Sequence, residues 1–411
     1  MHSEKRILFI SYDGMTDPLG QSQVIPYLIG LTKEGYTFLI LSCDKSDKYK
    51  ENKLYVEKMI APYPITWISL PYHKKPPILS SIYDFLKLRQ KAKQLYQIHK
   101  FDMVHTRPGI PQLVALYLKK KFNIKFMNDI RGFWADERVD GDMWNLNNAV
   151  YKKLYSFFKK KEYESIRKAD YNTCLTYKWK DEILKWSNVP QPVKVEVVPC
   201  SVDLNLFNNN NIEFRIKEGF KRELNISNSD FIISYLGSIG GWYLTKEMLQ
   251  FCSLLLQKKP ESKFLFISNN NQNDIITMAA EYGISKEKII VKHAKRHEVP
   301  ILLSLSTYSL FFIKPCYSKL ASSPTKHGEI MAMGIPVITN SGVGDVKEIV
   351  EKYNAGYVLN DFTEQTMMKV VNAICANPVF DKNEIRKGAL DFYNLEKTVK
   401  IYKAVYEKAL S

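Results

Sequence analysis

Short, continuous apolar runs alternate along the chain with longer segments in which apolar residues recur every three or four positions. A short apolar run is typical of a strand buried on both faces, whereas the longer spacing is typical of an amphipathic helix. The predicted strands cover residues 7–11, 38–43, 65–70, 103–105, 125–129, 171–176 and 193–198, and then 231–236, 264–268, 289–291, 309–313, 336–339 and 356–359. The clearest predicted helices cover residues 21–32, 82–99, 246–256, 329–333 and 362–376. This alternation predicts an α/β fold with parallel sheets covered by helices on both faces.

The two series of strands are separated by a polar stretch, residues 203–214, which includes four consecutive asparagines. Such a composition favours a linker surface over a regular element. A chain of 411 residues also has the length of two domains. We therefore predict doubly wound domains over residues 1–203 and 204–394, with a ligand cleft between them at the carboxyl ends of the strands. A last helix, over about residues 395–411, is a candidate for packing back on the first domain.

In each predicted domain, the first strand runs into a glycine-containing loop that precedes a helix. Gly20 and Gln21 stand where the helix of the first domain is expected to begin, and Gly237 and Ser238 directly follow the strand of the second. Glycines let the backbone approach a ligand, and a helix N-terminus offers free N–H groups and the positive end of its dipole. Both loops are candidate phosphate sites, although neither matches the dinucleotide fingerprint or the P-loop. A tight turn without a ligand is the alternative interpretation of each loop.

A third candidate phosphate site begins at Ser322, where a polar loop leads into a short helix and then a buried strand. Thr325 is the expected N-cap of this helix. Lys326 and Glu329 lie three residues apart and so share a helix face near its N-terminus. Lys326 would neutralise a diphosphate there, and Glu329 would accept hydrogen bonds from sugar or ribose hydroxyls. The alternative is a salt bridge between these two side chains on a solvated helix.

This segment resembles the nucleotide-sugar-binding motif of the family 4 retaining glycosyltransferases, whose usual pattern is Glu, seven residues, Glu and then Ala-Met-Ala-x-Gly-x-Pro-Val. The second half of that pattern is present as Glu329-Ile330-Met331-Ala332-Met333-Gly334-Ile335-Pro336-Val337. Other segments are similar to the same family and occur in the expected order: Ser11-Tyr12-Asp13-Gly14 with Pro18-Leu19-Gly20-Gln21-Ser22-Gln23-Val24, Asp129-Ile130-Arg131-Gly132-Phe133-Trp134-Ala135-Asp136-Glu137, and Val198-Pro199-Cys200-Ser201-Val202-Asp203. The resemblance implies the GT-B fold, in which two Rossmann-like domains face each other across a cleft.

The resemblance also implies a reaction and a donor site. The donor would be a nucleoside-diphosphate sugar such as a UDP- or GDP-sugar, with no cofactor required. The family's first motif glutamate corresponds to Ala321 here, and its diphosphate-gripping arginine corresponds to Ser238. Lys326 is the natural substitute for that arginine, with Lys246 a weaker candidate. The predicted donor-binding residues are Gly20, Gln21, Gly237, Ser238, Ser322, Thr325, Lys326 and Glu329.

The implied reaction releases a diphosphate, which needs charge stabilisation more than acid–base catalysis. The acceptor-side candidates follow strand ends in the first domain and are His105, Asp129 and Arg131. Arg131 would hold an acceptor phosphate, and Asp129 or His105 would contact the sugar. The alternatives are a packed histidine and a structural ion pair. The resemblance implies front-face substitution without a covalent nucleophile, and none is predicted.

No metal site is predicted. The Asp-x-Asp sequence Asp140-Gly141-Asp142 lies in a loop rather than at the end of a buried strand, so a solvated turn is expected there.

Two other functions fit the same architecture. One is a nucleotide-sugar epimerase, and the other is a catalytically silent sugar-nucleotide binder, which the alanine at position 321 makes conceivable.

The net charge of +16 adds information about the acceptor. Residues 1–200 carry +12 of this charge, and residues 201–411 carry +4. The basic residues cluster in residues 74–125 and in residues 148–168, where Lys159, Lys160 and Lys161 lie beside aromatic residues. Basic residues beside aromatics suit an anionic bilayer surface, so we predict a glycan or polyprenyl-linked acceptor. A solvated charged face is the alternative. No nucleic-acid-binding motif is present, and no nucleic acid partner is predicted.

Six scattered cysteines without a Cys-x-x-Cys pair fit reduced cytosolic thiols better than disulfides or a zinc site. The uncharged stretch at residues 299–313 falls short of the ~20 residues that span a bilayer. The apolar run at residues 7–10 is too short for a signal peptide. The expected location is the cytoplasm, with peripheral attachment at the inner face of the cell membrane as a further option.

Overall fold

The computed structural model describes residues 5–411. Contacts within the chain divide it into two units, which are described separately. The first unit extends to Pro199 and includes Leu395–Ser411, and the second is Cys200–Asn394. Each unit is built on its own parallel sheet with helices on both faces, so the predicted α/β fold with two doubly wound domains is confirmed.

The first unit contains seven parallel strands that alternate with helices. Its elements are β1 (Lys5–Ser11), α1 (Pro18–Gln23), α2 (Ile25–Thr32), β2 (Tyr36–Asp44), α3 (Ser46–Ile60), β3 (Ile65–Pro71), α4 (Leu79–His99), β4 (Met103–Thr106), α5 (Ile110–Phe122), β5 (Lys125–Asp129), α6 (Trp134–Asp140), α7 (Ala149–Lys168), β6 (Tyr171–Cys174), α8 (Tyr177–Leu184) and β7 (Val195–Val197). The strand order is β3-β2-β1-β4-β5-β6-β7.

Alternate residues of β1 enter two different cores because successive side chains of a strand point to opposite faces of the sheet. Ile7 and Phe9 pack into one core, and Leu8 and Ile10 pack into the other. All four side chains are fully buried. This two-sided burial explains why β1 is a continuous apolar run in the sequence rather than an alternating one.

The second unit contains six parallel strands around one large apolar core. Its elements include the short 3-10 helices Asn209–Asn211, Lys286–Lys288 and Tyr317–Ala321. The others are α9 (Phe214–Glu223), β8 (Phe231–Leu236), α10 (Thr245–Lys258), β9 (Ser262–Ile267), α11 (Gln272–Ala280), β10 (Ile289–Lys292), α12 (Val299–Leu303), β11 (Tyr308–Leu310), α13 (Thr325–Ala332), β12 (Val337–Asn340), α14 (Val346–Lys352), β13 (Gly356–Leu359), α15 (Glu364–Cys375) and α16 (Lys382–Phe392). The strand order is β10-β9-β8-β11-β12-β13.

The last helix, α17 (Leu395–Leu410), belongs to the first unit. It packs on α2, β5 and β6. Its buried face includes Tyr402, Val405 and Tyr406, which join the core that contains Ile7 and Phe9. The last helix of the chain therefore completes the hydrophobic core around the first strand.

Both sheets reverse their strand order near the middle, between β1 and β4 in the first unit and between β8 and β11 in the second. In open α/β sheets, ligands bind beyond the carboxyl ends of the strands at this reversal. The loops after β1 and β8 thus lie where each sheet is expected to bind a ligand.

Several boundaries differ from the sequence prediction. The single helix predicted over residues 21–32 is two helices, α1 and α2, separated at Val24. Pro26 in the first turn of α2 lacks the backbone N–H that would continue one helix into the next. The asparagine run is not an unstructured linker, because Asn209–Asn211 forms a 3-10 turn and the Asn208 side chain accepts a hydrogen bond from the Asn210 N–H.

No helix described in residues 5–411 is both long and apolar enough to cross a membrane.

Candidate active site

The first candidate site in the second unit is the loop after β8. Gly237 follows the strand with φ of 121°, a conformation that side chains with a Cβ rarely adopt. The loop is fixed by its own hydrogen bonds: the Ile239 N–H donates to Asn270 Oδ1 at 2.9 Å, and the Gly240 N–H donates to Thr245 Oγ1 at 3.0 Å. Ser238 is exposed, and its carbonyl accepts a hydrogen bond from the Tyr235 hydroxyl. The glycine loop is therefore held in place without a ligand.

The helix α13 begins next to this loop, and its start differs from the prediction. Pro324 occupies the N-cap position in an extended conformation, so the prediction of Thr325 as the N-cap is wrong. Thr325 is already the first helical residue and is half-buried. A proline fits immediately before a helix because its fixed φ matches the required geometry and the missing N–H is not needed there.

Lys326 lies buried at the start of α13, directly against Gly237. Its Nζ lies 3.6 Å from the centroid of the Tyr243 ring and 4.6 Å from that of Tyr235. The only hydrogen-bond partner found for it within residues 5–411 is the Tyr235 hydroxyl, at 3.5 Å, and it forms no ion pair there. A Cβ at position 237 would come within 2.9 Å of this Nζ. The glycine therefore leaves room for the ammonium group at the carboxyl end of β8.

Burial lowers the pKa of Lys326 to about 7, and the nearby Glu329 carboxylate opposes this shift only in part. The cause is the cost of removing an ammonium group from water without a compensating anion. The two tyrosine rings supply some cation–π attraction, which is worth less than a carboxylate partner. Lys326 is thus ready to gain stabilisation from an incoming anion.

Glu329 lies one helical turn beyond Lys326 but pairs with a different residue. Its Oε1 lies 2.6 Å from Nη1 of Arg296, so the predicted alternative of a Lys326–Glu329 salt bridge is not what forms. Arg296 also stacks over the Phe207 ring at 4.6 Å. Arg296 follows β10 at the carboxyl edge of the same sheet. Arg296 follows a predicted strand end, but its pairing with Glu329 depends on the loop after β10 and leaves no local signal in the sequence.

The loop before α13 supplies a second buried cation. Lys319 lies 3.7 Å above the Trp242 ring and is buried. Ala321 is buried, so no polar side chain stands where the family pattern has its first glutamate. Ser322 is half-buried after the 3-10 helix, and the Ser323 hydroxyl accepts a hydrogen bond from the Cys200 N–H at 3.2 Å. The structure thus groups Lys319, Lys326 and their aromatic partners around the glycine loop.

In the first unit, the loop after β1 is tied to its neighbours from within. Asp44 Oδ1 accepts hydrogen bonds from the N–H and the hydroxyl of Thr16, at 3.0 and 2.8 Å. The Gln21 side chain donates to the Thr16 carbonyl at 3.0 Å, and Gly20 is buried against Gly14 and Met15. The helix α1 starts at Pro18, three residues before the predicted start at Gln21. Gly20 and Gln21 therefore hold the loop together.

The three predicted acceptor-side residues, His105, Asp129 and Arg131, lie together in the first unit. The His105 Nε2 lies 3.5 Å from Asp129 Oδ2, and the Arg131 Nη1 lies 3.9 Å from Asp129 Oδ1. His105 and Asp129 are fully buried, while the Arg131 side chain retains 10% of its exposure. The structure brings the three residues together, and two of them are enclosed within the core.

The enclosing side chains come from α17. The Tyr406 hydroxyl lies 2.6 Å from His105 Nδ1, and the Tyr402 hydroxyl donates to Asp129 Oδ2 at 3.1 Å. Thr173 donates to the other Asp129 oxygen at 2.8 Å. The two tyrosine contacts join residues that are separated by about 270 to 300 positions in the chain. They make the histidine and the aspartate part of the contact between α17 and the sheet.

Electrostatics in this network fixes both charge states. Burial would raise the pKa of Asp129, but Arg131, the nearby His105 side chain and Arg107 together hold it well below its usual range. Burial lowers the pKa of His105, and the attraction of Asp129 offsets this shift only in part. Asp129 is therefore a carboxylate and His105 a neutral imidazole at neutral pH.

The Asp140-Gly141-Asp142 sequence forms the end of α6 and the turn after it, with Asp142 at φ of 59°. Within residues 5–411, no group of three or more His, Cys, Asp or Glu side chains is arranged to hold a metal ion.

Comparison with known families gives two matches. The model described as Glycosyltransferase Family 4 matches residues 24–206, and the model described as Glycosyl transferases group 1 matches residues 216–390. The two matches follow one another along the chain and together cover most of it. A search of curated proteins gave no match.

Solved structures match the whole chain at low identity. A glycosyltransferase from Rickettsia africae is 16% identical, with a TM-score of 0.70 over 100% of both chains. Anabaena HepE, solved in complex with UDP-glucose, is 11% identical, with a TM-score of 0.71 over 98% of this chain and 99% of that one. A Listeria monocytogenes protein assigned as a UDP-N-acetylglucosamine 2-epimerase is 10% identical, with a TM-score of 0.61 over 98% and 96%. These similarities show the fold, which transferases and epimerases share.

We predict that Tyr402→Phe lowers the free energy of unfolding by about 1–3 kcal/mol, because the buried Asp129 carboxylate loses a hydrogen bond. Urea unfolding monitored by circular dichroism measures this change. Tyr55→Phe, at an exposed position on α3, is the matched control and should be close to neutral. Equal stability of the Tyr402 variant and the wild type would contradict the assignment of this network to core packing.

We predict that Gly237→Ala lowers the stability of the protein by about 1–3 kcal/mol, because the position needs a positive φ and the new Cβ would meet the Lys326 Nζ. Gly219→Ala is the control, since Gly219 lies in α9 with open space around it and the substitution should stabilise the helix by about 0.5–1 kcal/mol. Thermal unfolding of the two variants compares them directly. A Gly237 variant as stable as the wild type would show that the loop has room for a side chain.

Proposed function

The chain belongs to the family 4 glycosyltransferases, and from this premise we propose that it moves a sugar from a nucleoside-diphosphate sugar to a hydroxyl group of a glycan or lipid-linked acceptor. The second unit would hold the donor and the first unit the acceptor. We further propose that the reaction retains the anomeric configuration and serves the synthesis of a surface polysaccharide. The nucleotide sugar is a substrate, and the proposal includes no cofactor.

One observation carries the donor assignment: the buried ammonium group of Lys326, which forms no ion pair within residues 5–411. An uncompensated charge of this kind costs free energy in the unliganded protein. A diphosphate at the same place would supply the missing anion, and its oxygens would gain a charge-assisted hydrogen bond. The N-terminal N–H groups of α13 and the close backbone approach at Gly237 favour the same ligand.

Glu329 would bind the neutral part of the donor. Its carboxylate is held by Arg296 on one side and is buried on the same helix face as Lys326. A carboxylate accepts hydrogen bonds only, which suits hydroxyls of a sugar or of a ribose and repels a phosphate. The pair therefore separates the charged diphosphate at Lys326 from the hydroxyl-bearing groups at Glu329.

The proposed chemistry is a substitution at the anomeric carbon of the donor. The bond from this carbon to the diphosphate oxygen breaks, and a bond to the acceptor oxygen forms on the same face, so the configuration is retained. The acceptor proton passes to the leaving diphosphate oxygen. Lys326, whose proton is held less tightly than that of an ordinary lysine, would stabilise the negative charge that develops there.

The comparisons favour transfer over the epimerase alternative, because the family matches are to glycosyltransferases although the fold is shared. Anabaena HepE was solved with UDP-glucose, which makes that sugar nucleotide a suitable first probe.

The acceptor side would approach an anionic membrane. The first two turns of α4 present four exposed apolar side chains on one face, at Leu79, Ile82, Tyr83 and Leu86. Lys74, Lys75, Lys87 and Arg89 lie before and beside this stripe in the sequence. An apolar helix face flanked by cations is the pattern that binds an anionic interface.

One residue of the predicted basic surface does not belong to it. Lys159 is buried and bridges Asp136 at 2.8 Å and Glu162 at 2.5 Å. Its expected contribution to a membrane contact is therefore wrong, since its charge is already neutralised within the fold. In the sequence Lys159 looks no different from its neighbours Lys160 and Lys161. Which of these lysines is buried depends on the face that α7 packs against the rest of the unit.

We predict that donor binding at pH 8 takes up most of one proton, and that it takes up little at pH 6. In the free protein Lys326 has a pKa of about 7, so at pH 8 it is mostly neutral, and a bound diphosphate would raise this pKa and protonate it. Donor affinity should accordingly fall as the pH rises above about 7. Calorimetry in two buffers of different ionisation enthalpy measures the uptake. The probe is whichever of UDP-, GDP- and ADP-glucose raises the melting temperature most.

Single substitutions test whether the donor binds at Lys326 and Glu329. Lys326→Arg should abolish the proton uptake because a guanidinium does not titrate in this range, and Lys326→Ala should weaken binding by about tenfold or more. Glu329→Ala should also weaken binding. The control is Lys347→Ala, which removes a partly exposed lysine on α14 of the same unit and should change neither quantity. Unchanged affinity in both the Lys326 and Glu329 alanine variants would refute the donor site.

We predict that the protein co-sediments with vesicles that contain phosphatidylglycerol and not with neutral phosphatidylcholine vesicles. Replacing Leu79 and Leu86 together by glutamate should reduce this binding severalfold, because carboxylates on the exposed stripe repel the anionic surface. Leu54→Glu, at an exposed position on α3, is the control and should bind as the wild type does. Absence of wild-type binding, or equal binding of all variants, would remove the membrane proposal.

A further inference from the structure

The first unit contains a large groove that none of the predicted site residues lines. It encloses about 1230 Å³. At the carboxyl edge of the sheet its wall includes Tyr12 after β1, Tyr72 after β3, Ile110 after β4 and Trp134 after β5. This is the edge at which α/β sheets bind their ligands. The groove therefore begins where an acceptor is expected.

From this edge the groove runs along two helices. On α5 the lining residues Leu113, Leu116, Tyr117 and Lys120 follow helical spacing and so form one face. At 1.5 Å per residue, the lining stretch from Ile110 to Lys120 is about 15 Å long. Residues of α7 also line the groove, namely Tyr151, Leu154, Phe157, Phe158, Lys161, Glu164 and Lys168. The groove is thus an elongated channel with mostly apolar walls.

Aromatic side chains build the end of the groove next to the sheet. The Trp134 ring packs against Phe158 at 4.5 Å and against Trp144 at 5.7 Å between centroids. Gly109 has φ of 84°, and a Cβ there would clash with the Trp134 ring, so the glycine makes room for the indole. These contacts show a wall that is organised by specific packing rather than left loosely filled.

Cations line both ends of this apolar channel. Lys74 and Arg138 lie at the sheet end, and Lys120, Lys161 and Lys168 line the far end. Glu164 is the one carboxylate among the lining residues, and it already pairs with Lys161 at 2.7 Å and with Lys168 at 2.6 Å. Lys74 and Lys120 form no ion pair within residues 5–411. The groove therefore has spare positive charge next to a hydrocarbon-like interior.

Arg138 is the more buried of the two cations at the sheet end. Its guanidinium stacks on the Trp134 ring at 3.2 Å and donates to the Trp134 carbonyl at 2.8 Å. Burial lowers its pKa to about 10, so it stays charged at neutral pH. A guanidinium fixed in this way presents its remaining N–H groups in a set direction, which suits a phosphate.

A free sugar would leave these apolar walls in contact with polar hydroxyls and would find few partners for them. A hydrocarbon chain would bury the walls, and an attached phosphate would meet the cations. We propose that the groove binds the lipid part of the acceptor, a hydrocarbon chain of the polyprenyl type that carries a phosphate or diphosphate. The phosphate lies at Arg138 and Lys74, and the chain lies along α5 and α7. This inference rests on the proposed function, since it names the acceptor class of the same reaction.

The exposed stripe on α4 supports this occupant. Ile82 belongs to that stripe and also lines the groove, so the apolar surface continues from the outside of the helix into the channel. A chain that leaves an anionic bilayer would remain against apolar side chains along this path. Continuity of this kind is not needed by a soluble ligand.

The test is binding of geranylgeranyl phosphate, measured by the change in tryptophan fluorescence, because Trp134 and Trp144 line the groove. Geranylgeraniol and inorganic phosphate are the matched probes that lack one half of the ligand. We expect geranylgeranyl phosphate to bind at least about tenfold more tightly than either probe, since each provides only one of the two contacts. Equal affinity for the alcohol would overturn the phosphate assignment, and no response to any of the three would overturn the groove as a lipid site.

Substitutions locate the ligand within the groove. Leu116→Glu should weaken binding by about tenfold or more because it places a carboxylate in the channel, whereas Ile98→Glu, exposed on α4 and outside the groove, should have no effect. Lys74→Glu should weaken binding by about fivefold, and Lys120→Glu should weaken it less. Equal binding by the Leu116 and Ile98 variants would overturn the proposed position of the chain. A larger effect at Lys120 than at Lys74 would overturn its orientation.

Donor binding distinguishes this inference from the proposed function. The groove variants should keep the wild-type affinity for the nucleotide sugar, because all of the substituted residues belong to the first unit, whereas the proposed donor site belongs to the second. If the wild type bound the donor but not the lipid phosphate, the acceptor inference would fail and the glycosyltransferase assignment would stand. If the wild type bound no nucleotide sugar, the donor site itself would be refuted.

Discussion

Lys326 carries an ammonium group that lies buried on two tyrosine rings at the carboxyl end of a parallel sheet, without a carboxylate partner in residues 5–411. Most buried lysines are neutralised within the fold, as Lys159 is by Asp136 and Glu162. The contrast between these two lysines separates a structural cation from one available for a ligand. An anion bound at Lys326 would account for three neighbouring features together. These are the positive φ of Gly237, the start of α13 and the pairing of Glu329 with Arg296.

The first unit uses its buried charges differently. His105 and Asp129 are the kind of residues that catalysis uses, and the sequence places them at strand ends where active sites form. In the structure, Tyr402 and Tyr406 of α17 take up their hydrogen bonds and exclude water from them. A carboxylate and an imidazole in such surroundings fix one packing arrangement of the helix on the sheet. A ligand-sized space of this unit lies instead in the groove along α5 and α7, whose walls are mostly apolar and whose charged lining residues are mainly cations.

The sequence predicts the fold well, because buried parallel strands and amphipathic helices leave strong local signals, as β1 and α4 show. It also predicts that Lys326 and Glu329 share one helix, because the motif that contains them is compact and local. It cannot predict that Arg296 rather than Lys326 pairs with Glu329, since that contact depends on the loop after β10. The burial of His105 by Tyr406 is likewise invisible, because the two residues are 301 positions apart. The groove was missed for the same reason: its walls come from helices whose buried faces are set by tertiary packing.

A crystal structure of the chain with a bound nucleotide sugar tests the central claim most directly. UDP-glucose is the first ligand to use. If another sugar nucleotide raises the melting temperature of the protein more, that ligand should be used instead. We expect a diphosphate oxygen within hydrogen-bond distance of the Lys326 Nζ beside Gly237, and a sugar or ribose hydroxyl on Glu329. A nucleotide bound elsewhere, with Lys326 still covered by Tyr235 and Tyr243, would contradict the assignment of this site to the donor.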